Sequence, residues 1–131
     1  MAKPRNELTR LEWVLMDALW TAGQATATDM QKHLDKSQGW AYSTIKTMLD
    51  RLVEMGFVKA RRVGNVYEYS PKVQRPTAVR KVIDEVIDRF CEGSVAPFVQ
   101  RLLERGDLEK SEIAELKGIL EKHSEKQRGR Q

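Results

Sequence analysis

The chain has 131 residues, 40% of them apolar, and a formal net charge of +4, enough for one compact domain or a small domain with an extension. No run approaches the roughly 18 to 20 uninterrupted apolar residues of a spanning helix, and the opening MAKPRNELTRLEW lacks the apolar core of a signal peptide, so a cytoplasmic protein is expected. The single cysteine, Cys91, rules out an internal disulfide, and with only His33 and His123 beside it no zinc or copper cluster is credible; neither metal nor cofactor is expected.

The basic excess belongs to the N-terminal portion. Residues 1–75 hold 12 Lys/Arg against 8 Asp/Glu, whereas residues 76–131 hold 11 of each. That is a modest electrostatic footprint for a polyanionic partner, nucleic acid ahead of membrane.

In LTRLEWVLMDALWTAG, the residues Leu8, Leu11, Val14, Leu15, Ala18 and Leu19 recur at helical spacing and predict an amphipathic helix over about residues 9–22. Thr9 and Glu12 have the spacing of a capping box, and Gly23 sits where a left-handed terminator is wanted. After an extended Ala25-Thr26-Ala27, a second, shorter helix runs from Thr28 through Leu34, with Met30 and Leu34 facing inward together. Ser37-Gln38-Gly39 then breaks the chain.

From Tyr42 to Met55 the apolar residues Ile45, Met48, Leu49, Leu52 and Val53 form one continuous stripe. The opposite face carries Tyr42, Ser43, Thr44, Lys46, Thr47, Asp50 and Arg51. Hydroxyl residues cost helix propensity by about a few tenths of a kcal/mol each, so their concentration here asks for a reason. Ser43 and Thr44 could cap the helix. Alternatively, the positive end of the helix approaches phosphates while its side chains reach base edges in a major groove. Downstream, Gly56 closes the helix, Phe57 to Val63 alternates sides, Gly64-Asn65 turns the chain and Val66 to Ser70 returns it, which predicts a two-stranded hairpin. Arg61 and Arg62 lie close to that turn, so at least one should face solvent beside the helix.

Three helices followed by strand, turn and strand describe a winged helix-turn-helix. The third helix enters the major groove and the hairpin, or wing, lies across neighbouring phosphates. The residues expected to meet DNA are Tyr42, Ser43, Thr44, Lys46, Thr47, Arg51, Arg61, Arg62 and Asn65. Trp13 and Trp20 are expected to pack beneath the wing or the third helix, and Trp40 to anchor the loop before it; base stacking is the alternative use of such rings. His33 reads as a partly exposed helical residue.

Pro71 to Thr77 reads as a linker, because two prolines disfavour both helix and central strand. Beyond it lie three apolar stripes: Val79, Val82, Ile83, Val86, Ile87 and Phe90; then Val95, Phe98, Val99, Leu102 and Leu103; then Ile113, Leu116, Ile119 and Leu120. Breaks fall at Gly93-Ser94 and Gly106-Asp107. Three such helices are too small a set to be stable alone. They either fold back on the winged domain or pair with a second copy, and the proline-interrupted linker favours pairing. The fold expected is mainly α with a small β-hairpin: a winged helix DNA-binding domain over 1–75 and a helical dimerisation domain over 76–131. Cys91, at the end of the first stripe, reads as a buried thiol, with redox sensing or an intersubunit bridge as the alternative.

LTRLEWVLMDALW and WAYSTIKTMLDRLVEMGFVKARRVGNVYEYSP resemble the BlaI/MecI-type penicillinase repressors, a family of bacterial transcription factors. The pattern is supplied by Glu12-Trp13, Leu19-Trp20, Trp40, Thr44 to Leu49 with Lys46 inside, Arg51-Leu52, Gly56 and Tyr67-Glu68-Tyr69-Ser70-Pro71. It is strong over residues 8–71 and looser beyond. The resemblance implies a transcriptional repressor whose C-terminal helices interlock in a homodimer on double-stranded operator DNA. Two winged domains on a two-fold axis make the second contact intramolecular, so the operator should be palindromic. It also implies a regulatory protease as a partner, since such repressors are inactivated by cleavage at an Asn-Phe bond; Arg101-Leu102 stands at that place here, a departure that leaves release by proteolysis open. Copper-responsive relatives carry paired Cys-x-Cys motifs, and Cys91 alone does not supply them.

No enzyme is expected: there is no Gly-rich phosphate loop, no metal-ligand cluster, and no nucleophile, base and orienter set. The competing reading from another class is a winged helix used as a protein-protein interaction adaptor without specific DNA binding. Such an adaptor has no need of Ser43, Thr44, Lys46 and Thr47 on one exposed face beside two wing arginines.

Overall fold

The computed structural model describes residues 7–129, the side chains of residues 35–38 excepted; the opening residues 1–6, read above for a signal segment, lie outside that range. Helix α1 (Arg10–Ala22) starts at the capping box expected of it: Glu12 N–H donates to Thr9 Oγ1 at 3.2 Å, and Thr9 N–H donates to Glu12 Oε1 at 2.8 Å. Glu12 is buried at 1% exposure, with its carboxylate held by that bond. The buried face is Glu12, Leu15, Met16 and Leu19. Leu11, assigned to the apolar stripe above, is instead 51% exposed, because the face centred on residues 12, 15, 16 and 19 leaves position 11 beyond its edge.

A two-residue strand β1 (Ala25–Thr26) follows, then α2 (Ala27–Gln38), which begins earlier than the apolar spacing suggested. Thr26 is its N-cap, in a second reciprocal capping box with Asp29. The helix continues through Ser37 and Gln38, and the break falls at Gly39, whose φ of 61° is left-handed. Helix α3 (Tyr42–Met55) has the expected bounds, and Gly56 ends it at φ 86° with its N–H turned back to the last turn. Strands β2 (Val58–Val63) and β3 (Val66–Pro71) form the hairpin around Gly64-Asn65.

The sheet has three strands where a two-stranded hairpin was expected. β1 pairs with the other edge of β3 in the order β1-β3-β2, all antiparallel. Ala25 and Thr26 are extended as the sequence suggested, but two residues are too short to show a hydrophobic period, so their pairing with β3 left no signal. Tyr69 on the central strand is buried together with Leu15, Leu19, Met30, Ile45, Leu49, Leu52 and Val58 in one core beneath α1, α2 and α3.

The expected linker is shorter than residues 71–77. β3 runs to Pro71 and helix α4 (Arg75–Phe90) already contains Pro76 and Thr77, leaving residues 72–74 between them. Pro76 is tolerated because the first turn of a helix has no acceptor for the N–H that proline lacks. Helices α5 (Ala96–Arg105) and α6 (Lys110–Arg128) complete the described chain, with Gly106 closing α5 at φ 77°.

The chain divides into two compact units, one ending at Asp84 and the other beginning at Glu85, so the division falls inside α4. The first unit contains every fully buried apolar residue, including Ala78 from the start of α4. In the second, α5 and α6 bury none; Ile87, Phe90, Val95, Phe98, Val99, Leu103, Leu116, Ile119 and Leu120 are all exposed. Among the described residues the architecture is six helices and one small antiparallel sheet, and no helix is long and apolar enough to cross a membrane.

Candidate nucleic-acid interface

The N-terminus of α3 is open. Its N-cap is Ala41, which makes no side-chain cap hydrogen bond, and the first turn carries no acidic residue. Ser43 and Thr44 therefore do not cap the helix; they lie inside it, exposed, with Tyr42 and Thr47 on the same accessible surface. Uncapped amides and the helix dipole together make this end electropositive. Beside it, Ser43, Thr44, Thr47 and Arg51 line a depression of about 430 Å³ whose other wall is Leu11 and Glu12 of α1 with its capping residue Thr9.

The wing follows from strand register. Arg62 is opposite Tyr67 and Ala60 opposite Tyr69, whereas Arg61 is opposite Glu68. Alternation puts Arg62, Tyr67 and Tyr69 on one face and Arg61 with Glu68 on the other. Arg61 Nη2 donates to Glu68 Oε1 at 2.8 Å, and Arg62 Nε donates to the Gly64 carbonyl at 3.2 Å. Both arginines are exposed, as is Asn65 in the turn, and the two cations leave the sheet in opposite directions.

Lys46 is placed differently from its neighbours. Its Nζ donates to both carboxylate oxygens of Asp50 at 2.9 Å and to the Tyr69 hydroxyl at 2.7 Å, and lies 5.5 Å and 5.4 Å from the ring centres of Tyr67 and Tyr69. The Tyr69 hydroxyl in turn donates to Asp50 Oδ1 at 2.8 Å. The Tyr69 hydroxyl and the Asp50 carboxylate hold the ammonium in its charged form and raise its pKa, while burial raises that of Tyr69. The lysine thus joins α3 to the β2–β3 hairpin. Its i, i+4 relation to Asp50 was readable from the sequence; Tyr69, from a separate strand, left no local signal.

Two of the three tryptophans pack on each other. The rings of Trp13 and Trp20 are 5.7 Å apart at 54°, and Trp20 Nε1 donates to the Val73 carbonyl at 2.9 Å, just past the wing. The Trp40 carbonyl accepts a bond from Gln31 of α2 at 3.4 Å, and His33 is exposed. Cys91 is half-buried with a free thiol. Among the described residues no group of His, Cys, Asp and Glu could hold a metal ion.

The family model described as penicillinase repressor matches residues 8–122. The chain belongs to the penicillinase repressor family. Relatives in that family include the penicillinase repressor of Bacillus licheniformis, 28% identical over 122 residues that make up 93% of this chain and 95% of that one. The methicillin resistance regulatory protein MecI of Staphylococcus aureus strain N315 is 27% identical over 116 residues, 88% of this chain and 94% of its own. Among solved structures, the DNA-binding domain of the repressor BlaI is 27% identical, with 56% of this chain and 88% of that chain covered and a TM-score of 0.49.

Proposed function

We infer that this chain, by family a DNA-binding transcriptional repressor and not an enzyme, works as a homodimer on a palindromic operator, with α3 in the major groove and the β2–β3 wing along the phosphates. The observation that carries the reading is the uncapped, acid-free start of α3, where Tyr42, Ser43, Thr44 and Thr47 are exposed together. Short hydroxyl side chains at that end can reach base edges while the backbone amides meet a phosphate. Arg51, Arg61, Arg62 and Asn65 supply the flanking sequence-independent contacts. The adaptor alternative is not favoured, because the family is one of repressors.

The division of labour proposed is DNA binding by residues 1–75 and dimerisation by residues 76–131. Support for the second half is the run of exposed apolar side chains on Val82, Ile83, Ile87, Phe90, Phe98, Val99, Leu103, Leu116, Ile119 and Leu120. Val79, Val86, Leu102 and Ile113 on the same stripes are half-buried. So much apolar surface is rarely left to water. The site of action is the cytoplasm, where the DNA is. Release by a regulatory protease is the remaining proposal; Arg101-Leu102 lies within α5, so cleavage there first needs that helix to open locally.

Selection of duplexes from a random pool by the full chain tests the reading. Enrichment of an inverted repeat is expected. Enrichment of an asymmetric site would overturn the two-fold model, and no enrichment together with no affinity for random duplex at low salt would favour the adaptor.

A further inference from the structure

We propose that Lys46 is a positioning residue: through Asp50 and Tyr69 it fastens the recognition helix to the wing, and its charge is neutralised by Asp50 of its own helix rather than by a DNA phosphate. The inference rests on the reading that the exposed face of α3 meets duplex DNA.

Three observations carry it. The ammonium has three donors, and Asp50 and Tyr69 between them offer three acceptor contacts at 2.7–2.9 Å. The Tyr69 hydroxyl donates onward to Asp50, closing the set, so each of the three groups is bonded to the other two. Tyr69 is also the member that cannot drift: it is 1% exposed, on the central strand of the sheet. A cation facing the rings of both Tyr67 and Tyr69 from a helix that carries Ser43, Thr44 and Thr47 fixes where those hydroxyls sit relative to Arg62, which shares the wing face of the two tyrosines. A reader built from two separate elements discriminates only if both keep one spacing, so loosening the fastening should lower discrimination more than affinity.

Asp50 has a second role in this arrangement. A carboxylate on a DNA-facing helix repels phosphate unless it is neutralised, and Lys46 neutralises it. Conversely, removing the carboxylate frees the ammonium to follow the backbone.

The test measures binding of the full chain to random duplex and to its selected operator across a salt series, for Lys46→Met, Asp50→Asn, the Lys46→Met/Asp50→Asn pair and Tyr69→Phe. Each phosphate contact contributes about 0.9 to the slope of log K against log salt. Asp50→Asn should bind random duplex more tightly, with a slope steeper by about that amount. The paired variant should return to the wild-type slope, and Tyr69→Phe should lose at least half of the logarithmic operator preference while the slope stays within one contact. Lys46→Met should bind both duplexes more weakly without a shallower slope. If instead Lys46→Met lowers the slope by one contact and Asp50→Asn leaves it unchanged, Lys46 is an ordinary phosphate ligand and the proposal falls. Failure of the wild-type chain to bind any duplex would overturn the DNA-binding reading itself, and that outcome is separate from either slope pattern.

Discussion

Arg75 Nε bonds Asp17 Oδ1 at 2.9 Å, tying the first residue of α4 to the middle of α1. Two residues upstream, the Val73 carbonyl takes the Trp20 indole N–H. The chain leaving the wing is therefore held to α1 twice. The ion pair is exposed on both sides and contributes little. The indole bond should matter more: Trp20→Phe keeps the ring and removes the donor, and is expected to cost about 1 kcal/mol in urea unfolding. Operator affinity per folded molecule should not change. An unaltered urea midpoint would show that water replaces the indole without loss.

Helix α1 depends on its cap as well as on its packing. Thr9→Ala removes the acceptor for Glu12 N–H and is expected to destabilise the first unit by about 1 kcal/mol. Thermal melting is the check, and Thr9→Ser should restore most of the loss because it keeps the hydroxyl.

A pH effect is expected at α2. The bond donated by the Thr26 backbone N–H, with the Thr26 hydroxyl beside it, holds the Asp29 carboxyl below its ordinary value of 3.8. A depressed folded value contributes stability above the unfolded value, and that contribution disappears as pH falls through the folded one. Asp29→Asn should therefore be less stable than wild type near neutrality, and the two unfolding curves should converge below about pH 4. A difference that stays constant from neutral pH down to strongly acid conditions would mean that the cap does not depend on the charge.

On the DNA face the residues should separate by what they touch. Thr47→Ala is expected to weaken operator binding by about 1 to 3 kcal/mol and random duplex hardly at all. Arg62→Ala should weaken both alike and make the salt dependence shallower by about one phosphate contact. Equal losses on both duplexes for Thr47→Ala would reassign it to the backbone.

The proposed pairing surface is tested by placing Asp at Ile83 and Ile87 together, two exposed apolar positions one helical turn apart on α4. Sedimentation should then report monomers, and affinity for a full palindrome should fall by roughly 10²-fold because the second domain is no longer delivered at high effective concentration. Circular dichroism should keep its helical signal. A double variant that sediments as a dimer would move the interface elsewhere.

Much of this fold is legible in the sequence. Thr9 with Glu12 announced the start of α1, and the stripe from Ile45 to Val53 announced α3, because caps and helical faces are written in residues three or four apart. What escaped has the opposite character. β1 spans two residues and exists only because β3 lies beside it. Leu11 has the right period but lies off the buried face, which depends on where the other helices pack. Lys46 stands in the sequence among the residues expected to meet DNA; its bond to Tyr69, brought next to it by the fold, has no local signal. Ser43 and Thr44 looked as fit for capping as for contact until the helix was seen to begin at Tyr42 behind Ala41.

The three-stranded sheet gives the wing two mechanical regimes. Near Tyr69 and Glu68 the central strand is bonded along both edges, by β1 and by β2. Beyond Glu68, towards Gly64-Asn65, only one neighbour remains. A lever clamped at its base and free at its end bends at the end. The part of the wing carrying Arg62 and Asn65 can therefore bend, while the clamped base, where Tyr69 meets Lys46, holds its angle to α3. Amide exchange should reveal that gradient as slow exchange around Tyr69 giving way to fast exchange around Asn65.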